Sequence, residues 1–162
     1  MSGDEAALAA LSQAAAAGGV EVAIVVEVNV GQDRCGVPPG PQAARLAQLV
    51  EKLPGLRFAG LQGYHGRLQG IAAFGERRTQ VRAALERLTQ SVEHLRRQGI
   101  DCPLLTGGGT GSVALDLELG GLSELQPGSY VYMDSSYGKL TWDAAGTPIP
   151  FEHSLTLLSS VV

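Results

Sequence analysis

The chain has 162 residues, of which twelve are Lys or Arg and sixteen Asp or Glu, for a net charge of −4 with neutral histidines. That length suits one hydrophobic core, and the scattered cations leave no basic stripe for nucleic acid or anionic lipid, so neither is expected as a partner. No apolar run reaches membrane-spanning length and the N-terminus carries acidic residues where a signal peptide carries basic ones, so a cytoplasmic protein is expected.

Residues 4–17 are rich in alanine, with Asp4 and Glu5 early and Gly18-Gly19 as a stop, and predict a helix. VEVAIVVEVNV, residues 20–30, has apolar residues on both alternating faces and predicts a strand buried on two sides. Pro41 opens the next helix, whose Leu46, Leu49, Val50 and Leu53 repeat at helical spacing until Pro54-Gly55. LRFAGLQ predicts a second strand, and Phe74, Val81, Leu85, Leu88, Val92 and Leu95 form one face of a long helix closed by Gly99. IDCPLLT predicts a third strand, weakened in its first half by Pro103. A short helix or irregular crossing over 113–120 and further strands in LSEL and SYVYM complete the pattern. Cys35 and Cys102 lack metal-binding spacing and read as reduced thiols.

Strands alternating with amphipathic helices predict a parallel sheet. The polar loops GQDRCG, GYHGRLQG, GGGTGS and DSSYGK then all follow strand ends, whereas the helix-to-strand links LPGL and RQGID carry only turn residues. This asymmetry places a site at the C-terminal edge of the sheet. In GGGTGS, the glycines let several N–H groups converge on an anion and Thr106, Thr110 and Ser112 add hydroxyls, against the alternative of a tight turn that needs positive φ. The same loop fits the loose dinucleotide fingerprint as Gly109-x-Gly111-x-x-Ala114, which would demand a substantial helix from Ser112 and an acidic side chain ending the next strand. Arg34 and Arg67 could reach the mouth and bind a phenolate, carboxylate or phosphate, or lie solvated. His65 serves as an acid or base or as a structural group, and Tyr64, Tyr130 and Tyr137 stack or pack. Asp134 binds a metal or caps a helix, capping being the commoner use.

VEVNVGQDRCGVPPG, PGLRFAGLQGYHGRLQG, LLTGGGTGS and ELQPGSYVYMD together resemble the D-threonine aldolase and D-serine dehydratase family, with GYHGRLQ closer to the aldolase branch. The resemblance implies an incomplete (β/α)8 barrel of the alanine-racemase type over residues 1–150. Residues 151–162 would then begin the connection to a C-terminal β domain. It implies pyridoxal phosphate as cofactor and, in the longer parent, a divalent metal and a D-3-hydroxy amino acid cleaved to glycine and an aldehyde. Thr106, Gly108, Gly109 and Thr110 with Gly128 and Ser129 would hold the cofactor phosphate. Arg34 would lie near the ring hydroxyl, Tyr64 beside the ring, and Gln126 opposite the pyridine nitrogen. The family's Schiff-base lysine lies upstream of these motifs, and Lys52 and Lys139 stand in no matching position. Gly70 occupies the place where the aldolase pattern has a histidine, and the family's metal ligands lie beyond the residues matched. A complete barrel needs about 250 residues, so the chain is expected to be a segment that is inactive alone and self-associates through exposed barrel edges. A non-catalytic module that holds the cofactor through the glycine loop, or less favourably a dinucleotide-binding domain, is the competing expectation.

Overall fold

The computed structural model describes residues 5–160. Asp4 and Val161-Val162, which belong to the expected first helix and closing segment, lie outside them. Four strands alternate with four helices: α1 (Glu5–Ala17), β1 (Val22–Glu27), α2 (Pro41–Lys52), β2 (Leu56–Gly63), α3 (Phe74–Arg97), β3 (Leu104–Gly107), α4 (Val113–Leu119) and β4 (Glu124–Leu125). Short 3-10 turns occupy Gly66–Gly70, Ser129–Val131 and Tyr137–Lys139. All strand pairs are parallel and the spatial order is β1-β2-β3-β4, the sequential order of an incomplete TIM-type barrel.

The helices form where the apolar spacing predicts them. On α2, Ala43, Ala44, Leu46, Ala47 and Val50 are buried, and on α3 Val81, Ala84, Leu88 and Leu95 are. Both helices pack on the sheet and on each other. The small Ser91 is fully buried between them, and its hydroxyl accepts the Gly40 N–H at 2.8 Å, which fixes the start of α2. Leu61, at the centre of β2, is completely buried; Leu61→Ala would therefore cost about 3 kcal/mol through lost transfer energy and a cavity.

Three expectations need correction. The first strand ends at Glu27 rather than residue 30: the Val28 N–H still reaches the Gln62 carbonyl, but Val28 also bridges Val37 and the chain curls into the loop that follows. The third begins only at Leu104, since Pro103 has no N–H to donate to the ladder. SYVYM is not a strand: Ser129–Val131 is a 3-10 turn with Val131 and Tyr132 exposed. DSSYGK therefore follows a turn, and the residues that follow β4 at the sheet edge are Gln126 to Ser129.

Candidate functional site

The strand register sets the floor of the site. Glu27, Gln62, Thr106 and Glu124 are successive partners across the four strands, and side chains at paired positions share one face of a sheet. They form a polar row just below the strand ends. The Thr106 hydroxyl donates to Glu124 Oε1 at 2.7 Å, while Gln126 Nε2 donates to Gln62 Oε1 at 3.2 Å and Thr106 Oγ1 at 3.1 Å. Its two donor contacts leave Gln126 Oε1 as the acceptor free for a ligand.

Above this floor lies a cleft of about 290 Å³ lined by Tyr64, Gln69, Gly109, Thr110, Gln126, Gly128, Ser129 and Tyr137. Residues from the loops after β2, β3 and β4 thus converge on one space. The loop after β1 joins them through Arg34, whose guanidinium carbon stands 5.1 Å from the centre of the Tyr64 ring, within cation–π range. Asn29 shapes that loop: its Oδ1 accepts the N–H groups of Gly31 and Asp33 at 3.0 and 3.2 Å, and its Nδ2 donates to Asp33 Oδ1 at 2.9 Å. The Gly66 N–H, in turn, donates to Gln32 Oε1, tying the first loop to the second.

The glycine loop is only partly open to a ligand. Its Gly111 and Ser112 N–H groups donate to Gln69 Oε1 at 2.8 and 3.1 Å, and the Gly109 N–H donates to the Ser112 hydroxyl at 3.1 Å. The N–H groups of Thr110, Gly128 and Ser129 meet no acceptor among the described residues. Thr110 is buried while Gly128 and Ser129 are exposed, and the convergence of their three N–H groups on the cleft wall suits an anion there. The donor set thus fits a phosphate at the outer side of the loop. The Thr110 hydroxyl is buried and accepts the Tyr130 N–H at 3.1 Å, which joins the β3 loop to the segment after β4.

Behind the loop, Asp116 on α4 is buried and accepts the Ser112 hydroxyl at 2.7 Å. Burial pushes its carboxyl up to about 6, against the pull of hydrogen bonds from Ser112 and the Gly109 backbone. Gly108 adopts φ 67°, and a Cβ there would stand 2.3 Å from Asp116 Oδ2, so both conformation and space require glycine. His65 lies beside this region; burial lowers its pKa and leaves its Nδ1 without a partner. Arg67 is exposed and stands outside the cleft lining. Asp134 caps the last 3-10 turn, its Oδ1 accepting the N–H groups of Ser136 and Tyr137 at 2.7 and 2.9 Å. Both cysteines are free, and burial raises the Cys102 thiol. Among the described residues, no three His, Cys, Asp or Glu side chains gather to hold a metal, and no helix is long and apolar enough to cross a membrane.

The dinucleotide expectation loses its main support, although the acidic Glu124 does stand in the next strand. The helix after the glycine loop, Val113–Leu119, has seven residues, and the sequential strand order has no switch point among the described strands.

The arrangement is that of a known fold family, whose model, described as alanine racemase, N-terminal domain, matches residues 2–136. The chain belongs to that family. It is 43% identical over 155 residues to a D-threonine aldolase of Arthrobacter sp., covering 96% of this chain and 40% of the relative. It is 36% identical over 158 residues to a 3-hydroxy-D-aspartate aldolase of Paracoccus denitrificans strain Pd 1222, covering 96% of this chain and 41% of the relative. Among solved structures, D-threonine aldolase from Filomicrobium marinum superposes with a TM-score of 0.88 at 40% identity, over 94% of this chain and 41% of that one. A D-threo-3-hydroxyaspartate dehydratase from Delftia sp. HT23 shares the fold, with a TM-score of 0.73 at 22% identity over 81% of this chain and 35% of that one. The family resemblance drawn from the motifs is thereby established, and the chain spans about two fifths of the length of these relatives.

Sequence reasoning missed Gln69 and Asp116. Gln69 was visible only as the Gln of the GYHGRLQ motif, with no role of its own, and Asp116 as one of two acids on a short helix. Both act on the glycine loop through contacts that no local pattern announces.

Proposed function

We propose that this chain forms the phosphate side of a pyridoxal-phosphate site belonging to a D-threonine-aldolase-like lyase. The observation that carries this reading is the cleft into which Tyr64, Thr110, Gln126, Gly128 and Ser129 converge, with three N–H groups on its wall that meet no acceptor among the described residues. Thr110, Gly128 and Ser129 would receive the cofactor phosphate through those N–H groups, with Gly108, Gly109 and Thr106 shaping the loop and floor behind them. Tyr64 would lie beside the ring and Arg34, stacked on Tyr64, would face the ring hydroxyl with a cation that favours its ionised form. Gln126 would offer Oε1 to the pyridine nitrogen while its amide nitrogen stays anchored on Gln62 and Thr106. When bound, pyridoxal phosphate supplies an electron sink for a bond broken at the α carbon of an amino acid. In the longer protein, with a divalent metal, that chemistry would cleave a D-3-hydroxy amino acid to glycine and an aldehyde.

The chain alone holds the cofactor without turning over substrate. Lys52 sits in the last turn of α2, which leads into the N-terminal end of β2 and so lies at the opposite end of the sheet from the cleft. Lys139 is in an exposed 3-10 turn. Lys52 is thus remote from the cleft, and Lys139, in the turn whose Tyr137 lines it, stands in no position that matches the family's Schiff-base lysine. Gly70, where a Cβ would meet nothing within 4 Å, leaves open the space next to Gln69 that the aldolase pattern gives to a histidine. Residues 151–162 would continue toward a further β domain, and self-association is expected through the unpaired edge of β1, beside which Ala7, Leu8, Leu11, Ala23 and Val25 line an apolar groove.

Equilibrium dialysis tests the reading. The purified chain should retain pyridoxal phosphate, inorganic phosphate should displace it, and D-threonine should yield no aldehyde. Ser129→Pro, which removes one N–H donor, should weaken retention about tenfold. Retention that phosphate cannot displace, or no retention at all, would break it.

A further inference from the structure

Gln69 does at the glycine loop what a bound anion does elsewhere. Its side chain is buried, 5% exposed, and belongs to the 3-10 turn after β2, more than forty residues upstream of the loop it serves. One amide oxygen gathers the N–H groups of Gly111 and Ser112, while the amide nitrogen donates to the Ser112 hydroxyl at 3.0 Å. That hydroxyl already accepts the Gly109 N–H and gives its single proton to Asp116. The backbone of Gln69 also presses on the loop: a Cβ at Gly111 would stand 2.3 Å from the Gln69 carbonyl oxygen, so only glycine admits this approach.

We propose that Gln69 is the positioning residue that holds the glycine loop in its anion-receiving shape before any anion arrives, and that it confines the anion to the outer donors of Thr110, Gly128 and Ser129. The second half rests on the reading of the cleft as a phosphate seat. Without Gln69, the loop would have its backbone to order at the moment of binding, and the donors of Gly111 and Ser112 would compete for the ligand. With it, the ordering is complete in the free chain, which is how preorganisation raises affinity without adding a contact to the ligand. The residue type follows from the same geometry. An amide both accepts two N–H groups and donates to Ser112, whereas a carboxylate at this place would accept but not donate and would set a negative charge beside Asp116 and the incoming phosphate.

The test uses the full chain, labelled with nitrogen-15, with pyridoxal phosphate and inorganic phosphate as probes. In the wild type, the Gly111 and Ser112 amides should exchange slowly with solvent even without ligand. Gln69→Ala should speed their exchange at least about tenfold while Leu61 and Val26 in the strands stay protected, and should weaken pyridoxal phosphate binding about tenfold. Gln69→Glu at pH 8 should restore the slow exchange but not the affinity, a split that a purely structural role would not produce. Fast exchange at Gly111 and Ser112 in the wild type, or a Gln69→Ala variant that keeps both protection and affinity, overturns the proposal. If Gln69→Ala does not fold, Gln69→Asn, whose shorter amide cannot reach both N–H groups, takes its place: slow exchange at Gly111 and Ser112 together with wild-type affinity in that variant overturns it. A wild type that binds neither probe defeats the phosphate reading, while the exchange comparison still settles whether Gln69 holds the loop.

Discussion

The two walls of the cleft are built on different principles. The wall from β2 and β3 is knitted from buried polar groups: Gln69, Ser112, Thr110 and Asp116 are each at most 5% exposed; Gln69 bonds Ser112 across more than forty residues of sequence, Ser112 bonds Asp116 across one turn of α4, and Thr110 accepts the Tyr130 N–H of the facing wall. The opposite wall follows β4 and contains 3-10 turns and extended chain, with Tyr130, Val131 and Tyr132 exposed. It is held by local Asx-type turns at Asp134 and Asp143, by the tilted contact of Tyr130 with Phe151 at 5.5 Å, and by a few long-range bonds. The comparison teaches where binding precision resides. The first wall has its shape in the free chain because breaking any of its bonds leaves a buried group unpaired. The second keeps its shape only as far as its anchors reach.

The strongest anchor is Arg77. Its side chain is 1% exposed, donates to the carbonyls of Ile71 and Ala72 at 2.6 and 3.3 Å, and reaches the Thr141 carbonyl of the second wall. Among the described residues no carboxylate pairs with it, so the charge is held by carbonyl oxygens and by the face of Phe74, 5.5 Å away. Arg77→Ala should therefore produce the largest effect, a loss of about 3 to 4 kcal/mol in chemical denaturation. Limited proteolysis should then cut within 134–150 while β1 to β3 remain intact. Loss of less than about 1 kcal/mol, or cleavage spread evenly over the chain, would remove the distinction between the walls.

Next in size is Asp116, which tests the knitted wall. Its folded pKa of about 6 lies above the ordinary carboxylate value, so the folded state binds a proton more tightly than the unfolded one. Stability from this group is fully present below about pH 4 and is lost as pH rises through 6. Asp116→Asn keeps an acceptor for the Ser112 hydroxyl and removes the charge. The variant should gain on the wild type between pH 4 and pH 7 by up to about 3 kcal/mol. A stability difference independent of pH over that range would show that the carboxylate is not buried as described.

These two residues also mark the limit of what the sequence makes legible. Helices and strands were readable because burial follows local periodicity: Leu46 and Val50, or Val81, Leu88 and Leu95, reveal a face from their spacing alone. The bias of polar loops toward strand C-termini foretold that Arg34, Tyr64 and Gly109 would meet, because a parallel sheet sends all such loops to one edge, whereas Ser129 was placed with them only by the family resemblance. SYVYM misled because its aromatic and β-branched residues suit a strand, yet strand propensity needs a neighbour to pair with, and the chain turns instead after the two residues of β4. Arg77, Gln69 and Asp116 looked like ordinary polar residues on helices and turns. What makes them structural is a partner elsewhere: Thr141 lies 64 residues from Arg77, and Gly111 lies 42 from Gln69.

The smallest effect is expected where the second wall runs out. Ser154 bonds through its N–H and hydroxyl to Tyr132 and Val131; residues 155–160 then have no regular secondary structure, and Leu155, Leu157 and Leu158 are 68%, 92% and 98% exposed. Leucines in such positions release no apolar surface on unfolding, so Leu157→Ser should change stability by less than about 0.5 kcal/mol. The same substitution should lower the tendency of the chain to associate, because three apolar side chains within four residues form a sticky, strand-prone segment. Sedimentation of both forms over a range of concentrations separates the two effects. Unchanged stability with reduced association confirms that this segment lies outside the cooperative core. A loss of 2 kcal/mol or more would mean that these leucines pack against the fold.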